Sequence, residues 1–495
     1  MSIVIKSFQW GQSNDRNAWQ EGAFWNDKNI NYRENRAYLE ISKKAQTKFS
    51  IATSGISNVS AITFWWTGGT ITTDMVVFTS NGIYTSAWQQ SLITDIVNVW
   101  QAISKKYFVT ENDLYEFTTP STNTLLDTLT RSVYTRPMVE FAGDLLIWDW
   151  NQIARWTWSA PILEYNGTLD VLGNLDGIVV SMTVVNQDVY VWCNNGADTN
   201  LYIWNGTWPD WQRKITYKDK AVQNVALLGN MHYWWQAKSH AWIREVLIWE
   251  SFSPQVFVKS GFTEVSLTAN PDNEKNKMAI ATIYDSLISN TSILNINAIE
   301  TASDIVYLPW IGRIFGFGKY FPWDKYSFNT EFAFTGTYVY AMASGGRTAS
   351  WVDASGFLAF ATVNGSAYDI NIVNLGQDGD PTTPIHYASS WELESMEYVA
   401  PNYAKWEDDV KYVIDFELPS SACSIKVYEK RDRWSYSLVK ILTYTDFPWH
   451  QLAEIATQGK WRRKQFKFEL ITTDPLVSPK LYTGFTNITQ DTWKV

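Results

Sequence analysis

Hydrophobic and polar residues alternate in short runs along most of this chain, and the runs end at turn signals. In residues 75–86, an apolar run is followed by Asn81 and Gly82 and then by a second run. Similar paired runs surround residues 143–144 and 186–188. Turn residues between alternating runs are a strong short-range signal of a β-hairpin. No amphipathic helical pattern of about 12 residues or more stands out. The pattern therefore predicts an all-β protein.

Comparable strand cores recur at a spacing of roughly 31–48 residues. A four-stranded propeller blade takes about 40–45 residues, so the spacing favours a β-propeller of six to eight blades over residues 51–390. The alternative is a long β-sandwich or a set of β-meanders. A ring is favoured because its closure leaves few exposed strand edges. The recurring cores are residues 83–84, 114–115, 153–156, 201–204, 246–249 and 292–296.

The two ends of the chain differ from this middle part. Residues 1–50 are polar and rich in Asn, and they predict an extended N-terminal arm. Residues 378–384 concentrate Gly and Pro, which marks a boundary. Residues 391–495 then contain regular alternating strands and predict an antiparallel β-sandwich.

The alternation in residues 465–472 predicts which side chains face the core of this sandwich. Successive side chains of a strand point to opposite faces. We therefore expect one face to be apolar and buried and the other to be polar and exposed to water. The first face consists of Phe466, Phe468 and Leu470, and the second of Gln465, Lys467 and Glu469.

Charge and cysteine content argue against several classes of function. The 40 Lys and Arg against 50 Asp and Glu give a formal net charge of −10, which is unfavourable for general binding of nucleic acid or anionic membranes. Cys193 and Cys423 lie too far apart for a cysteine-rich zinc site or a disulfide framework. No apolar run approaches the roughly 18 residues of a membrane span, and the N-terminus has no signal-peptide core. We expect a soluble protein made without a cleaved export signal.

Tryptophan is unusually frequent, with 28 Trp against 26 Gly, and many of these residues stand in turn contexts. Trp150, for example, lies between Asp149 and Asn151. Glycine is favoured at such places because it reaches positive φ without steric cost. We hypothesise that many of these codons are UGA in an organism that reads UGA as glycine. The candidates are Trp10, Trp19, Trp25, Trp66, Trp150, Trp158, Trp208, Trp234, Trp242, Trp323 and Trp351.

Three other tryptophans fit the ordinary role of this residue. Trp148, Trp156 and Trp204 alternate with apolar residues in strand-like segments, so they are expected to be true tryptophans in the core. The alternative to recoding is a protein selected for Trp, for instance one with a sugar-binding surface.

Motifs for catalysis, cofactors or metals are missing from the sequence. It contains no P-loop, no dinucleotide fingerprint and no Gly-x-Ser-x-Gly elbow. His232 and His240 lie eight residues apart without any zinc-ligand motif, and neighbouring acids such as Asp378 and Asp380 lack the further ligands of a calcium loop. We therefore predict no enzyme, no catalytic residue, no cofactor and no metal site. A propeller glycosidase is the less favoured alternative.

The densest basic run, residues 460–464, supplies the candidate contact residues of this chain. Arg462, Arg463 and Lys464 are predicted contacts to a ligand or to an acidic partner. The alternative is a solvated strand end beside acidic neighbours.

The beginning and end of the chain resemble tailed-bacteriophage virion proteins of the tail or neck, such as packaged-DNA stabilisation factors. The start, residues 8–15 and 22–33, resembles their glycine-rich openings, more so if Trp10, Trp19 and Trp25 are read as Gly. The end, residues 461–474 and 478–482, resembles their closing strands. The resemblance implies a β-propeller followed by a β-sandwich and a structural role in a virion. It implies no catalytic residue.

On this basis we expect a structural virion protein that is made in the host cytoplasm and acts in assembly or stabilisation of the tail or neck. The expected partners are other virion proteins, with a homo-oligomer or ring, since rings match a symmetric axis. A membrane or nucleic acid is not expected as a partner. The alternative function is a carbohydrate- or receptor-binding propeller.

Overall fold

A computed structural model gives the architecture of most of residues 38–250 and 299–488, together with residues 11–12, 23–28 and 30–31. Within the two long ranges, the parts that the structure does not describe are residues 65–74, 86–87, 102–104, 130–135, 158–159, 165–174, 186, 197, 207–210, 219–220, 229–230, 238–243, 303–304, 311–312, 319–326, 337–338, 346–355, 376–384, 396–397, 400–406, 409–410, 433–434, 457–459 and 483–485.

The described residues form strands and turns. The first five strands are β1 (Gly11–Gln12), β2 (Ala23–Lys28), β3 (Ile30–Asn31), β4 (Tyr38–Ile41) and β5 (Gln46–Ala52). The next twelve are β6 (Val59–Phe64), β7 (Met75–Thr79), β8 (Gly82–Thr85), β9 (Trp88–Ser91), β10 (Ile96–Gln101), β11 (Lys106–Thr110), β12 (Asp113–Thr119), β13 (Thr122–Thr128), β14 (Met138–Phe141), β15 (Asp144–Asp149), β16 (Gln152–Thr157) and β17 (Ala160–Glu164).

The middle and last parts of the chain continue the series. The middle part has β18 (Ile178–Val185), β19 (Asp188–Asn195), β20 (Asp198–Trp204), β21 (Arg213–Tyr217), β22 (Ala221–Leu228), β23 (Met231–Ala237), β24 (Arg244–Glu250), β25 (Glu300–Ala302), β26 (Ile305–Trp310), β27 (Arg313–Gly318), β28 (Ser327–Ala333), β29 (Val339–Gly345), β30 (Phe357–Asn364) and β31 (Ala367–Asn374). The last part has β32 (Ser390–Ser395), β33 (Tyr398–Val399), β34 (Glu407–Asp408), β35 (Lys411–Leu418), β36 (Cys423–Arg431), β37 (Ser437–Thr443), β38 (Trp449–Ala456), β39 (Lys460–Trp461), β40 (Arg463–Thr472), β41 (Lys480–Tyr482) and β42 (Thr486–Ile488).

Seven small sheets follow one another along the chain and form a β-propeller. They are β6–β9, β10–β13, β14–β17, β18–β21, β22–β24, β25–β28 and β29–β31, and β5 is the outermost strand of the last. The first strands contact one another in the order β6, β10, β14, β18, β22, β25, β29 and back to β6. A ring of first strands that returns to its start is the architecture of a propeller. The predicted all-β propeller of six to eight blades is therefore confirmed, and the described residues form seven blades.

The N-terminal strand β5 completes the seventh blade beside β31. Thr47 Oγ1 donates to Asn371 Oδ1 at 2.8 Å, and Ser50 Oγ donates to Asp369 Oδ1 at 2.5 Å. Thr53 adds a backbone hydrogen bond to Ser366 O at 2.9 Å. Residues more than 300 positions apart in sequence thus close the ring, which leaves β31 with a neighbour on each side.

The predicted strand cores occupy one equivalent position in successive blades. Residues 83–84, 114–115, 153–156, 201–204 and 246–249 lie in β8, β12, β16, β20 and β24, each the third strand of its sheet. Residues 292–296 lie outside the described part of the chain. The recurring pattern in the sequence therefore marks the same strand, the third, in each of these blades.

The second architectural element is a two-sheet β-sandwich. One sheet has the order β1-β2-β32-β40-β36-β37, and the other has the order β3-β4-β41-β35-β38. Both sheets contribute to one apolar core, in which Trp391, Ile425 and Leu470 meet Ile414 and Phe416. The predicted sandwich after the propeller is confirmed.

The N-terminal segment differs from the predicted arm. Strands β2 and β4 belong to the two sandwich sheets, with Phe24 opposite Ser395 and Leu39 opposite Leu481. By compactness, the chain divides into residues 47–312 with 335–383, and residues 1–46 with 313–334 and 384–495. The polar composition of residues 1–50 hid this pairing, because its partner strands lie more than 360 residues further along the chain.

The alternation predicted for residues 465–472 holds with one exception. Phe466, Phe468 and Leu470 are buried in the core. Gln465 was expected to face water, but it is buried, and its Nε2 donates to the backbone oxygen of Ser395 at 2.8 Å. A hydrogen bond to a carbonyl satisfies the amide away from water.

Candidate functional site

Lys464, one of the three predicted contact residues, is buried inside the sandwich. Its side chain has no exposed surface, and its Nζ lies 2.7 Å from Glu429 Oε1. The same Nζ donates to the hydroxyl of Tyr412 at 2.6 Å and sits 4.5 Å from the centre of that ring. The prediction that this side chain contacts a ligand or partner is wrong. Position 464 has the same parity as Phe466 and Phe468, so the strand directs it into the core.

Arg462 and Arg463 are half-buried at the start of β40. Both of their backbone N–H groups donate to Asp432 Oδ1, at 3.0 Å each. Asp432 N donates in turn to Arg463 O at 2.8 Å. These bonds fix the backbone of the basic run against the end of β36. Contact of the two guanidinium groups with a partner stays a prediction.

A group of polar and aromatic side chains lies on the outer face of the sheet that contains β35, β38 and β41. His450 Nε2 is 2.5 Å from Asp415 Oδ1, and the His450 ring stacks on Tyr482 at 4.5 Å. Tyr482 O–H donates to Glu417 Oε2 at 2.8 Å, and Lys480 Nζ lies 3.3 Å from Glu417 Oε1. The group therefore joins three strands across one solvent-facing surface.

The charge state of Glu417 follows from these neighbours. Burial by itself raises the pKa of this carboxyl, but the hydrogen bond from Tyr482 and the charge and hydrogen bond of Lys480 outweigh it, and the pKa is lowered overall. Burial together with Glu417 also raises the pKa of the Tyr482 hydroxyl well above its usual value. At neutral pH, the face thus presents an ionised Glu417 beside a neutral tyrosine. Such a surface suits polar recognition.

Three exposed aliphatic side chains, here called the sandwich edge, lie on the last strands of the two sheets. Leu438 and Ile441 lie on β37, and Leu452 lies on β38 opposite Asp415. Their exposed fractions are 49%, 44% and 67%. Strands β37 and β38 are the last strands of the two sheet orders, and Lys440 Nζ of β37 donates to Glu454 O of β38 at 3.3 Å. Two neighbouring edge strands therefore carry exposed aliphatic side chains. Leu438 and Ile441 lie on the outer face of one sheet, and Leu452 lies on the outer face of the other.

The sequence pattern does not predict the polar face or the sandwich edge, because their residues are spread over the four strands β35, β37, β38 and β41. Leu452 alternates with the core residues Ala453 and Ile455, as expected of a residue on the opposite face. That parity was the available signal. No local pattern shows that β37 and β38 are edge strands, because this depends on their pairing with β36 and β35.

The propeller contains a buried lysine beside the last residue of a first strand. Lys106 Nζ donates to the backbone oxygen of Phe64, at the end of β6, and lies 3.3 Å from Thr63 Oγ1. Burial lowers the pKa of the Lys106 ammonium to about 7. Perturbed pKa values occur both at active sites and in structural networks. Because Lys106 bridges the first two blades through a carbonyl, its contacts indicate a structural role.

A buried ion pair joins the second and third blades. Arg136 and Asp149 have no exposed side-chain surface, and Arg136 Nη1 lies 3.0 Å from Asp149 Oδ1. Arg136 also donates to Glu111 O through Nε at 3.2 Å and to Trp148 O through Nη1 at 3.1 Å. All of these acceptors are fixed by strands or hairpins, so the arginine locks one blade against the next.

The described residues bear on two further kinds of site, a metal centre and a membrane-spanning helix. Within them, no group of three or more His, Cys, Asp and Glu side chains is arranged to hold a metal ion. Helices of the length and apolar character of a membrane span are likewise absent from that part of the chain. His232 belongs to β23, but its side chain is not described, and His240 lies outside the described residues. The described residues therefore offer no cofactor or metal ligand set to assign.

Comparison with known proteins gave no family. No family model matches the chain, and no curated protein matches it. Solved structures of low similarity include the Dos1 propeller, with a TM-score of 0.37 and 10% identity over 72% of this chain and 96% of that one. The extracellular domain of a putative hybrid two-component system from B. thetaiotaomicron has a TM-score of 0.39 and 11% identity, over 83% of this chain and 47% of that one.

An exo-beta-1,3-galactanase from Phanerochaete chrysosporium is also among the similar structures. Its TM-score is 0.26 at 7% identity, over 79% of this chain and 94% of that one. Similarity at this level carries no functional inference. The propeller assignment depends on the ring of first strands in this chain.

Proposed function

We propose that this protein is a non-enzymatic structural component of a tailed-phage virion, acting in assembly or stabilisation of the tail or neck. The resemblance of its two ends to such proteins supports the virion setting. The observation that carries the assembly role is the sandwich edge, three exposed aliphatic side chains on two neighbouring edge strands. A propeller and a sandwich serve many functions, so the proposal depends on this surface rather than on the fold.

The exposure of the sandwich edge is unusual for a protein that remains a monomer. Natural edge strands are commonly blunted by charges, prolines or bulges, which prevent pairing with another chain. Here Leu438, Ile441 and Leu452 stand at the edges. In the described part of this unit the large exposed aliphatic residues are these three with Leu476, so three of the four belong to β37 and β38. That concentration favours a covered surface in the assembled state.

Beside these edge strands, the outer faces of the two sheets carry charged pairs. On one face, Lys426 pairs with Glu469 and Lys467 with Glu392. On the other, Lys480 pairs with Glu417. Charged pairs of this kind keep a sheet face hydrated. They also provide a polar border around an apolar contact. A hydrophobic centre within a polar rim is the usual anatomy of a protein–protein interface.

We take the occupant of the sandwich edge to be a second copy of this chain in a ring. An edge strand offers unpaired backbone groups, and strand addition satisfies them while the aliphatic side chains are buried. Repeated copies related by rotation form a closed ring, which is the usual way to match a symmetric axis. Other virion proteins that bind the ring would complete the assembly.

The assembly role is tested by measuring the molar mass of the full chain in solution. The double variant Leu438→Glu with Leu452→Glu places two charges on the sandwich edge and is expected to convert an oligomer into a monomer. Leu125→Glu is the matched control, because Leu125 is 53% exposed on β13 of the propeller. Light scattering after size exclusion reports both. A monomeric parent chain, or equal dissociation by the control, would contradict the assembly role.

The virion setting needs a separate measurement. Proteomics of purified phage particles from the source culture is expected to find the chain at a fixed ratio to the major virion proteins. Its absence from intact particles contradicts the virion setting but leaves the oligomer result unaffected. Assays for glycan hydrolysis are expected to show no turnover, and activity abolished by changing a carboxylate would contradict the non-enzymatic proposal.

A carbohydrate-binding propeller is the second candidate. The observation that favours it is Trp88 on β9, whose side chain is 74% exposed, since exposed indoles stack on sugar rings. Glycan-array binding that is lost in Trp88→Ala would support this function. Binding by neither the parent nor the variant would leave the assembly role as the better account.

A further inference from the structure

We propose that residues 150 and 449, written as Trp in this sequence, are glycine in the protein made by its natural host, because UGA is a glycine codon there. The inference is independent of the proposed function. It uses the backbone at these two positions, where φ is +63° in both cases. Bulky residues at positive φ are outliers, whereas glycine adopts such angles freely.

Trp150 is the first residue of a two-residue hairpin loop. Asp149 and Gln152 are paired at the ends of β15 and β16, so that Trp150 and Asn151 form the loop. Trp150 has a φ of +63°, and Asn151 is not among the residues of positive φ. Positive φ at the first loop position alone is the pattern of a type II′ turn, which favours Gly there. A Gly-Asn loop is a recognised hairpin sequence.

The same hairpin in two other blades, the fourth and the seventh, has glycine at this position. In the fourth blade, Asn195 pairs with Asp198 and Gly196 begins the loop with φ +63°. In the seventh, Asn364 pairs with Ala367 and Gly365 begins the loop with φ +61°. A Cβ at either glycine would meet nothing within 4 Å. Backbone angle rather than space therefore requires glycine at these loops, and Trp150 has the same angle.

Trp449 follows a proline at the start of β38. Pro448 precedes it, and its own φ is +63°. Proline followed by a residue of positive φ is the pattern of a type II turn, in which Gly is favoured at the second central position. The indole is 61% exposed. This position was not among the candidates found from sequence context, so its backbone is a new observation in favour of recoding.

Five other tryptophans bury their indole rings in apolar cores. Trp148, Trp156 and Trp204, expected to be genuine, are 3%, 4% and 3% exposed. Trp192 and Trp391 have no exposed surface. Large apolar rings bury most of their area in a core. Five tryptophans thus lie in cores and two at glycine-type turns, as expected if two codons with different meanings were both written as Trp.

The remaining candidates divide as follows. Trp25 lies at a register shift between Phe24 and Asn26, where β2 pairs with β32, and bulges often contain glycine. Trp234 lies in regular pairing with Val225 and Leu247, so its backbone gives no support for glycine. The other eight lie outside the described residues. They are Trp10, Trp19, Trp66, Trp158, Trp208, Trp242, Trp323 and Trp351.

Mass spectrometry of the protein isolated from its natural source tests the proposal directly. Peptides spanning positions 150 and 449 are expected to be lighter by the difference between a tryptophan and a glycine residue. Peptides spanning positions 148 and 192 are expected to contain tryptophan. Tryptophan at positions 150 and 449 in the native peptides would overturn the proposal.

Recombinant variants add a second, physical readout. Trp150→Gly is expected to raise the thermal midpoint of the full chain by about 2–4 °C, because a left-handed non-glycine residue is strained. Trp148→Gly, two residues earlier, is the matched control and is expected to lower the midpoint by emptying a buried site. If Trp150→Gly instead lowers the midpoint, the backbone argument fails.

Discussion

Strands of the propeller and strands of the sandwich bury their side chains in different patterns. All five residues of β7 in the propeller are buried, whereas β36 in the sandwich alternates between buried and half-buried residues. A middle strand of a blade has side chains that pack on both faces, while a sandwich strand has one face toward water. Polar groups in the propeller must therefore find partners inside the protein, and polar groups in the sandwich have water available on one face.

The buried ion pairs of the two units show the consequence of this difference. Arg136 in the propeller is held by Asp149 and by backbone oxygens from two blades. Lys464 in the sandwich is held by Glu429, which is also bound by the half-exposed Arg431 at 2.9 Å. Removing Arg136 takes a cation away from Asp149 in a fully buried site. Removing Lys464 leaves Glu429 with a second cation, Arg431.

The largest effect is expected for Arg136→Met. Removing one partner of a buried ion pair costs about 3–5 kcal/mol, since the other charge loses the counter-ion that offsets its burial. Arg155→Met is the matched control, because the Arg155 side chain is 38% exposed where it meets Asp144, and such pairs contribute about 0–1 kcal/mol. Urea unfolding of both variants measures the difference. Equal losses of unfolding free energy in the two variants would show that the buried pair stabilises the propeller no more than the partly exposed pair does.

A smaller effect is expected for Lys464→Met, about 2–3 kcal/mol, because Glu429 retains Arg431. Lys467→Met is the control on the same strand. Its Nζ lies 3.8 Å from Glu392 on the solvent-facing side, so its loss is expected to be within about 1 kcal/mol. Urea unfolding followed by the fluorescence of the buried tryptophans reports both. A loss for Lys464→Met as large as that for Arg136→Met would mean that Arg431 does not compensate.

These contrasts also explain how much of the fold the sequence predicted. Alternation and turn residues act between neighbours in the chain, so they identified the third strand of five consecutive blades and the inward-facing Phe466, Phe468 and Leu470. Pairing across hundreds of residues leaves no local pattern. For that reason the sequence of residues 1–50 predicts an arm, although it contains the sandwich strands β2 and β4 and most of the closing strand β5.

The candidate surfaces were predicted less well, for a related reason. The charge of the basic run 460–464 predicts contacts to a partner, whereas the alternation of side chains along the strand directs Lys464 to the core. The sandwich edge depends on which strands end their sheets, and this follows from long-range pairing. The sequence context of Trp150 does predict its place in a turn, where its φ is positive, because such a turn is set by the immediate neighbours.

The third prediction concerns pH and compares two adjacent lysines. Burial lowers the pKa of Lys106 in the folded chain to about 7 from an ordinary 10.5. Between these two values the unfolded chain binds the extra proton, so stability rises with pH, by up to about 1.4 kcal/mol per pH unit. Below pH 7, both states bind the proton and this dependence ends.

Replacing Lys106 with Met is expected to remove that rise between pH 7 and 10.5. Lys105→Met is the control, since Lys105 is 50% exposed and pairs with Glu116 at 2.9 Å. Denaturant midpoints measured from pH 6 to 10 compare the two variants with the parent chain. An unchanged slope in Lys106→Met would show that the burial of this ammonium does not govern the pH dependence.

The smallest effect is expected at the closure of the propeller ring. Ser50→Ala removes the hydrogen bond from β5 to Asp369, whose other oxygen still accepts a bond from Asn364 Nδ2 at 3.0 Å. Because Asp369 keeps that partner, the loss is expected at the lower end of the usual 0.5–1.5 kcal/mol, at about 0.5 kcal/mol. The control is Thr128→Val, which removes a 3.0 Å bond to Asp113 within a single hairpin.

Amide hydrogen exchange separates the closure from a general loss of stability. Strand β5 is joined to its blade by contacts more than 300 residues apart in sequence, so opening at this seam does not require any other blade to unfold. We expect faster exchange in residues 46–52 and 367–374 of Ser50→Ala, with the sandwich strands unchanged. In Thr128→Val, any change should stay within β12 and β13. Faster exchange spread evenly over both units would show that the ring has no separate seam, and that propeller and sandwich share one unfolding transition.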